Sequence, residues 1–347
     1  MQFLYIVIAI LMFGFLITIH EFGHFLFARI FHVNVIEFSI GMGPKLFQRT
    51  SKKSGILYTL RLLPIGGYVN MGEDDPPEEG IGPDPGAFRS KPVWQRFIIV
   101  SAGAIMNIAL GFVLMFGLVL ASDDLGSTTV REFAEGAVSC EQGLMIGDTI
   151  VKVNDVNVHS VDELRYEIMY NGHEPLDITV MRNGERIVLD DVAFYVVEQD
   201  GVKLGVTDFG VDRAQKTIPV VLRQAFHRSV SAIKMVWDSL IGLITGRFGV
   251  ENMSGPVGIT SAITHAASIG LDSLVFLFIV ITMNLGVFNL LPVPALDGGR
   301  LLFFLIEFLR GKPIDPKYES YVHFAGLCVL LLIMVLVSVK DIISLIF

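Results

Sequence analysis

His20, Glu21 and His24 form the pattern His-Glu-x-x-His inside a long apolar run. On a helix, positions four apart lie one above the other on a single face, so the two imidazoles can reach one point in space. That is how two histidines share a zinc ion, and Glu21, beside them, is placed to act as a general base on water. The chemistry this permits is hydrolysis of a peptide bond. Five residues with three fixed can arise by chance, but the setting sharpens the reading. A charged side chain at the centre of a membrane-spanning helix costs about 2.5–3.5 kcal/mol, and here three polar groups come together. A bound metal offsets that cost. Hydrogen bonding to neighbouring helices is the alternative, and it does not call for this spacing.

A catalytic zinc takes three protein ligands and keeps one position open. No third histidine continues the motif, since Phe27 and Ile30 occupy the positions where an extended His-Glu-x-x-His motif would carry Gly and His. Asp297, in Asn289-x-x-Pro-x-Pro-x-Leu-Asp-Gly-Gly299, stands out among acids near an apolar stretch. The residues alone leave two readings open for it: a metal ligand, or the N-cap of a helix beginning with Gly-Gly-Arg and an apolar run.

The elements that must position these groups follow from composition. The 347 residues are 52% hydrophobic and 18% charged, with a mean hydropathy of +0.60, too apolar for a soluble domain and too polar to be all membrane. Four stretches, about 3–30, 95–121, 271–291 and 321–346, are long enough to cross a hydrocarbon core, which needs about 20 helical residues. The first lacks a basic leader and a small-residue cleavage site, so it reads as a retained span and not as a signal peptide. Cys140 and Cys328 fall in different environments and define no disulfide framework or Cys-rich metal site. The net charge of −9 resides largely in the polar insert, and no basic run points to nucleic acid.

Arg29, Lys45, Arg49, Lys52, Lys53, Arg61, Arg89, Lys91 and Arg96 lie between the first two spans, and Arg300, Arg310, Lys312 and Lys317 between the last two. Basic short loops stay cytoplasmic, which puts both termini and the long 122–270 segment on the extracytoplasmic side. Within the first loop, residues 56–69 mix β-branched and aromatic residues around Pro-Ile-Gly-Gly and read as a membrane-associated β-hairpin, buried against protein or lining a cavity. The charged, Pro/Gly-rich 73–86 segment reads as a loop. Residues 125–208 read as a small β-rich domain with one helix at 161–170 and a tight turn at Asn183-Gly184. Residues 217–250 show an amphipathic helical pattern suited to a membrane surface.

Taken together, His20-Glu-x-x-His24 in the first span, the Asn289-x-x-Pro-x-Pro-x-Leu-Asp-Gly-Gly299 stretch and Gly255-Pro-Val-Gly-Ile259 resemble the site-2 protease family of intramembrane zinc metalloproteases. The likeness covers nearly the whole chain and is strongest to the bacterial regulator of sigma-E protease branch. It implies an α-helical polytopic membrane protein with four transmembrane helices, the β-hairpin, and an inserted extracytoplasmic PDZ domain at 125–208, between protease-core parts at 1–122 and 255–347. Gly143-Leu-Met-Ile-Gly-Asp-Thr-Ile-Val-Lys-Val-Asn154 is similar to the core motif of bacterial PDZ domains. Better-known relatives carry two PDZ domains; this insert has room for one.

The resemblance further implies that His20, His24 and Asp297 bind Zn²⁺, that Glu21 is the catalytic base, and that Asn289 contacts substrate or helps stabilise the oxyanion. The β-hairpin, with Gly66 and Gly67, would present the substrate as an extended strand. Implied partners are transmembrane substrates such as anti-sigma factors or signal-peptide remnants, an extracytoplasmic peptide or domain at the PDZ module, and the lipid of a bacterial cytoplasmic (inner) membrane. His32, near the cytoplasmic end of the first span, reads as an interfacial histidine in preference to an extra ligand; His159, His173, His227 and His265 show no ligand spacing, and Asn107 reads as a helix-to-helix hydrogen-bonding residue.

Overall fold

The computed structural model describes residues 2–72, 84–199, 201–249 and 253–346, so most of the loop expected at 73–86 lies outside them. Two compact units are formed, one from residues 1–111 with 254–347 and one from 112–253.

The first unit opens with α1 (Gln2–Ile30), followed by β1 (Glu37–Thr50), β2 (Leu57–Asn70) and α2 (Val93–Ala121). α1 and α2 approach closely where Gly23 faces the Ala102 carbonyl: a Cβ at Gly23 would lie 2.4 Å from that oxygen. A small residue at such a crossing lets helices pack without a hydrophobic drive in lipid. Below the crossing, Ala28, Val33, Ile56, Phe88, Ile99 and Phe304 form a shared apolar core.

β1 and β2 are long and bent, with positive φ at Gly41, Gly43 and Gly66. The first stretch of β1, residues 37–40, lies between two parts of β2. It runs parallel to 57–60 on one side and antiparallel to 67–70 on the other, while 45–50 turns back antiparallel to 57–61. The expectation of a simple 56–69 hairpin is therefore corrected. Residues 64–67 carry the chain across β1 and do not fold the two parts of β2 together, because residues 37–40 offer a ladder edge to each. The tight connection comes earlier, at 51–56, closed by Ser51 N–H to Ile56 O at 2.9 Å. Arg61 ties the sheet together, donating to Ser39 Oγ at 2.9 Å, Gly43 O at 3.0 Å, Tyr68 Oη at 2.6 Å and Glu37 Oε1 at 3.1 Å. Among the described residues, 67–70 pair on one side only and so present a sheet edge.

The second unit comprises β3 (Leu125–Phe133), β4 (Thr149–Val153), β5 (Val156–Asn157), α3 (Val161–Asn171), β6 (Leu176–Arg182), β7 (Glu185–Val192), β8 (Tyr195–Gln199), β9 (Val202–Val206), β10 (Phe209–Ala214) and α4 (Ile218–Thr245). The main sheet is antiparallel in the order β10-β3-β4-β6-β7, with β5 on β4 and a separate β8–β9 hairpin. Val130, Ile150, Val153, Leu164, Ile168, Ile178 and Val180 fill its core. Asn183 and Gly184, both at positive φ, make the two-residue turn that suits the right-handed twist of β6 and β7. β10 extends this unit past residue 208, because it pairs with β3.

The first unit resumes with α5 (Pro256–Ile269), α6 (Leu271–Leu290), α7 (Asp297–Arg310) and α8 (Pro316–Ile346). The start of α5 is fixed by the carboxylate of Asp341 on α8, which accepts from Gly255 N–H and Gly258 N–H, each at 2.8 Å. Four helices are long and apolar enough to cross a membrane, over Ile6–Ile30, Val93–Ala121, Leu271–Leu290 and Pro316–Ile343.

Candidate active site

α1 stacks His20 and His24 one turn apart, both buried, with their Nε2 atoms 3.1 Å from each other. α7 begins at Asp297 and brings its Oδ2 to 3.0 Å from His20 Nε2 and 3.3 Å from His24 Nε2. The N-cap position of α7 is Leu296, which disposes of the N-cap reading of Asp297. The preceding loop is pinned by α8, where His323 Nδ1 accepts from Ala295 N–H at 3.0 Å.

The electrostatics of this triangle identify what it suits. The Ile99 carbonyl can only accept, so His24 Nδ1, 2.9 Å away, is the donor, and in the neutral ring Nε2 is the atom that offers a lone pair. Asp297 Oδ2 is buried, and its polar neighbours are these two imidazole nitrogens. Lone pairs converging on one point repel unless a cation lies among them. Ligand atoms about 2.0–2.1 Å from a tetrahedral zinc stand roughly 3.3 Å from one another, so the triangle is of the size the ion requires. The surrounding space is kept open by Gly103 of α2, where a Cβ would lie 2.5 Å from His24 Nε2 and 2.8 Å from His20 Nε2. The residues present fit the metal.

Glu21 follows His20 on α1 and faces the backbone amide of Val69 and the α-carbon of Gly67, where a Cβ would be 3.1 Å from Glu21 Cγ. An open cleft of about 480 Å³ reaches these groups, lined by His20, Glu21, His24, residues 68–72, Val100, Asp297 and Arg300. The sheet edge at 67–70 thus borders the carboxylate and the metal-sized triangle together. Gly66 turns at positive φ against Met42. Asn289, half-buried in the last turn of α6, is not among the residues lining the cleft.

Two contributors escaped the sequence reading, Ile99 and Gly103; with Asn107, expected to hydrogen-bond between helices and found 3.4 Å from His20 Nδ1, they are spaced i, i+4, i+8 on α2 and turned to the histidines. That spacing is the one signal that could have grouped them. Elsewhere, His159 and His227 come together with Glu163 in the second unit, despite no hint from their spacing. Their rings lie stacked, centroids 3.9 Å apart and 12° from parallel, so their in-plane lone pairs run side by side and do not converge on an ion. Glu163 meanwhile accepts from His159 N–H at 2.5 Å at the start of α3, a capping role.

A polytopic membrane protein with a buried pair of histidines, an aspartate converging on them and a glutamate in the adjoining cleft has the make-up of a membrane-embedded metalloprotease. The chain belongs to peptidase family M50, whose model matches residues 8–333. It is similar to a protein of Clostridium acetobutylicum that bears a zinc metalloprotease name, 37% identical over 99% of this chain and 98% of the relative. It is also similar to zinc metalloprotease RasP of Shouchella clausii, 31% identical over 96% of this chain and 97% of the relative. The regulator of sigma-W protease RasP of Bacillus subtilis is 30% identical over the same shares. This chain is a multi-pass membrane protein and a zinc-dependent endopeptidase of the site-2 protease family. The sequence also allows the alternative of a non-catalytic PDZ-containing membrane adaptor with a structural metal site, which this family membership does not favour.

Proposed function

We propose that His20, His24 and Asp297 hold the zinc ion and that Glu21 is the general base of a hydrolysis carried out within the membrane. The observation that carries this reading is the buried Asp297 Oδ2, 3.0 and 3.3 Å from two imidazole nitrogens that themselves stand 3.1 Å apart. Zinc bound there supplies Lewis-acid polarisation and brings the pKa of water to about 7. Glu21 takes the proton of the attacking water and hands it to the leaving amine. A transmembrane helix hides its carbonyls in internal hydrogen bonds, so the substrate must be unwound before it is cut. The free edge at 67–70 suits that task, since an extended substrate adding as a further strand would lie alongside Glu21. Gly66 allows the bend that leads into this edge, and Asn289 is assigned to substrate contact on its motif.

The second unit is read as a single extracytoplasmic PDZ domain that engages a peptide or domain of the substrate. Its antiparallel sheet and the α3 helix support that reading, as does the alignment to RasP over 413 residues, longer than this chain and hence with room for additional segments in the relative. On α4, Ile218, Leu222, Phe226, Trp237, Ile241 and Ile244 are exposed, while Val221, Ala225, Ala232 and Val236 are buried. This exposed apolar stripe supports an interfacial position for α4 at the bilayer. The lysine and arginine distribution supports a bacterial cytoplasmic membrane with the second unit outside. The name of the Bacillus subtilis relative supports anti-sigma factors as substrates; remnant signal peptides have the same single-span chemistry.

The test is purified enzyme in lipid vesicles with a single-span substrate, cleavage sites read by mass spectrometry. Cuts inside the span, absent in Glu21→Gln, support the reading. Cuts confined to the aqueous flanks overturn it.

A further inference from the structure

Asn107 of α2 is fully buried, and its carboxamide Nδ2 lies 3.4 Å from His20 Nδ1. Its Oδ1, also buried, has no hydrogen-bond partner. Leaving a buried acceptor unsatisfied is unfavourable, so an asparagine here needs a reason that a leucine of similar shape would not meet. Contact with α6 does not provide it: Thr282 Oγ1 donates to the backbone carbonyl of residue 107, at 3.2 Å, a bond any residue would allow.

The reason is available at His20, on the reading that its Nε2 ligates zinc. A neutral imidazole that offers Nε2 to a metal carries its proton on Nδ1, which then requires an acceptor. A half-turn of the carboxamide about its last torsion exchanges its nitrogen and oxygen, which are matched in position but opposite in role. We infer that Asn107 Oδ1 accepts a hydrogen bond from His20 Nδ1–H and thereby holds this ring in its ligating tautomer and orientation. One exchange satisfies the orphaned oxygen and supplies the acceptor that His20 lacks. The Ile99 carbonyl, two turns earlier on the same face of α2, does the same for His24. Between them Gly103 leaves the space in which the two Nε2 atoms meet. Asn107 is thus a positioning residue for the metal centre.

Zinc affinity of the full-length protein, measured by competition with a chelator in detergent, tests this with Asn107→Leu, Asn107→Asp and Thr282→Val. Groups that orient a metal ligand are worth 10–100-fold in affinity, so Asn107→Leu is expected to weaken zinc by about that factor, while Asn107→Asp, which keeps an acceptor oxygen, stays within about threefold of wild type. Thr282→Val is expected to leave affinity unchanged. Cobalt substitution gives an independent readout, with the visible absorption of the bound ion altered in Asn107→Leu and restored in Asn107→Asp. Wild-type affinity in Asn107→Leu overturns the inference, as does an equal loss in Asn107→Asp or in Thr282→Val. Should Asn107→Leu fail to fold, the Asp and Val variants decide alone: weakened zinc in either overturns it. A wild-type protein that binds no zinc instead overturns the ligand assignment on which this inference rests.

Discussion

Asp297 Oδ2, a buried atom, stands 3.0 Å from His20 Nε2 and 3.3 Å from His24 Nε2. Asp297 and His20 come from helices near opposite ends of the chain, so folding alone brings them together. A carboxylate placed so near two ring nitrogens has the geometry to share a cation with them.

Glu21 is not part of that triangle, so the two functions should separate. Glu21→Gln keeps the shape and loses the base, and loss of general-base catalysis is worth about 10²–10⁴-fold in rate. We expect cleavage to fall by that order while zinc content stays at the wild-type value, both measured on the same preparation. A variant that loses its metal would assign Glu21 to the ligand set.

Gly103 should behave differently from other glycines of its helix. Gly103→Ala places a methyl group 2.5 Å from His24 Nε2, so both zinc content and activity should drop sharply. Gly117, also on α2, has nothing within 4 Å of an added Cβ, and Gly117→Ala should leave both unchanged. Metal analysis of the two variants side by side makes the comparison.

Gly67→Val probes the sheet edge. Its Cβ would lie 2.9 Å from Ser39 O and 3.1 Å from Glu21 Cγ, displacing the edge from the carboxylate. Misplacement by about 1 Å can cost 10²-fold in turnover, and a loss of about that size is expected without loss of zinc. Turnover at saturating substrate, with metal content as control, measures it.

In the second unit, Asp148 is buried and receives Arg182 Nε and Nη2, each at 2.7 Å, as well as Met145 N–H at 2.9 Å. Arg182 reaches solvent, so the main cost of removing Asp148 is the part-buried Met145 N–H left without its acceptor, about 1–3 kcal/mol. Asp148→Ala should therefore unfold this unit at lower urea concentration, followed by limited proteolysis between residues 125 and 214.

Much of this could be read from the sequence, for identifiable reasons. A spanning helix announces itself by length and apolarity, and an i, i+4 pair of histidines fixes its own geometry. Asn183-Gly184 forces its turn through its own backbone preference. Asp297 was different: a first-turn aspartate before Gly-Gly suits a helix start electrostatically as well as it suits a metal, and only the position of Leu296 and the distance to His20 separate the two. The sheet defeated local reading because residues 37–40 pair with both parts of β2, a non-local arrangement that the Pro-Ile-Gly-Gly signal cannot encode. Asn107 read as a residue bonding between helices, but that its partner is His20 is set by folding and not by local sequence.

Whether residues from both ends of the chain hold one catalytic zinc is measured most directly as zinc per chain in purified wild type and Asp297→Ala. About one ion per chain in the wild type is expected, falling close to zero in Asp297→Ala with the helical content unchanged by circular dichroism. Full zinc retention in Asp297→Ala, with the fold intact, would contradict the account.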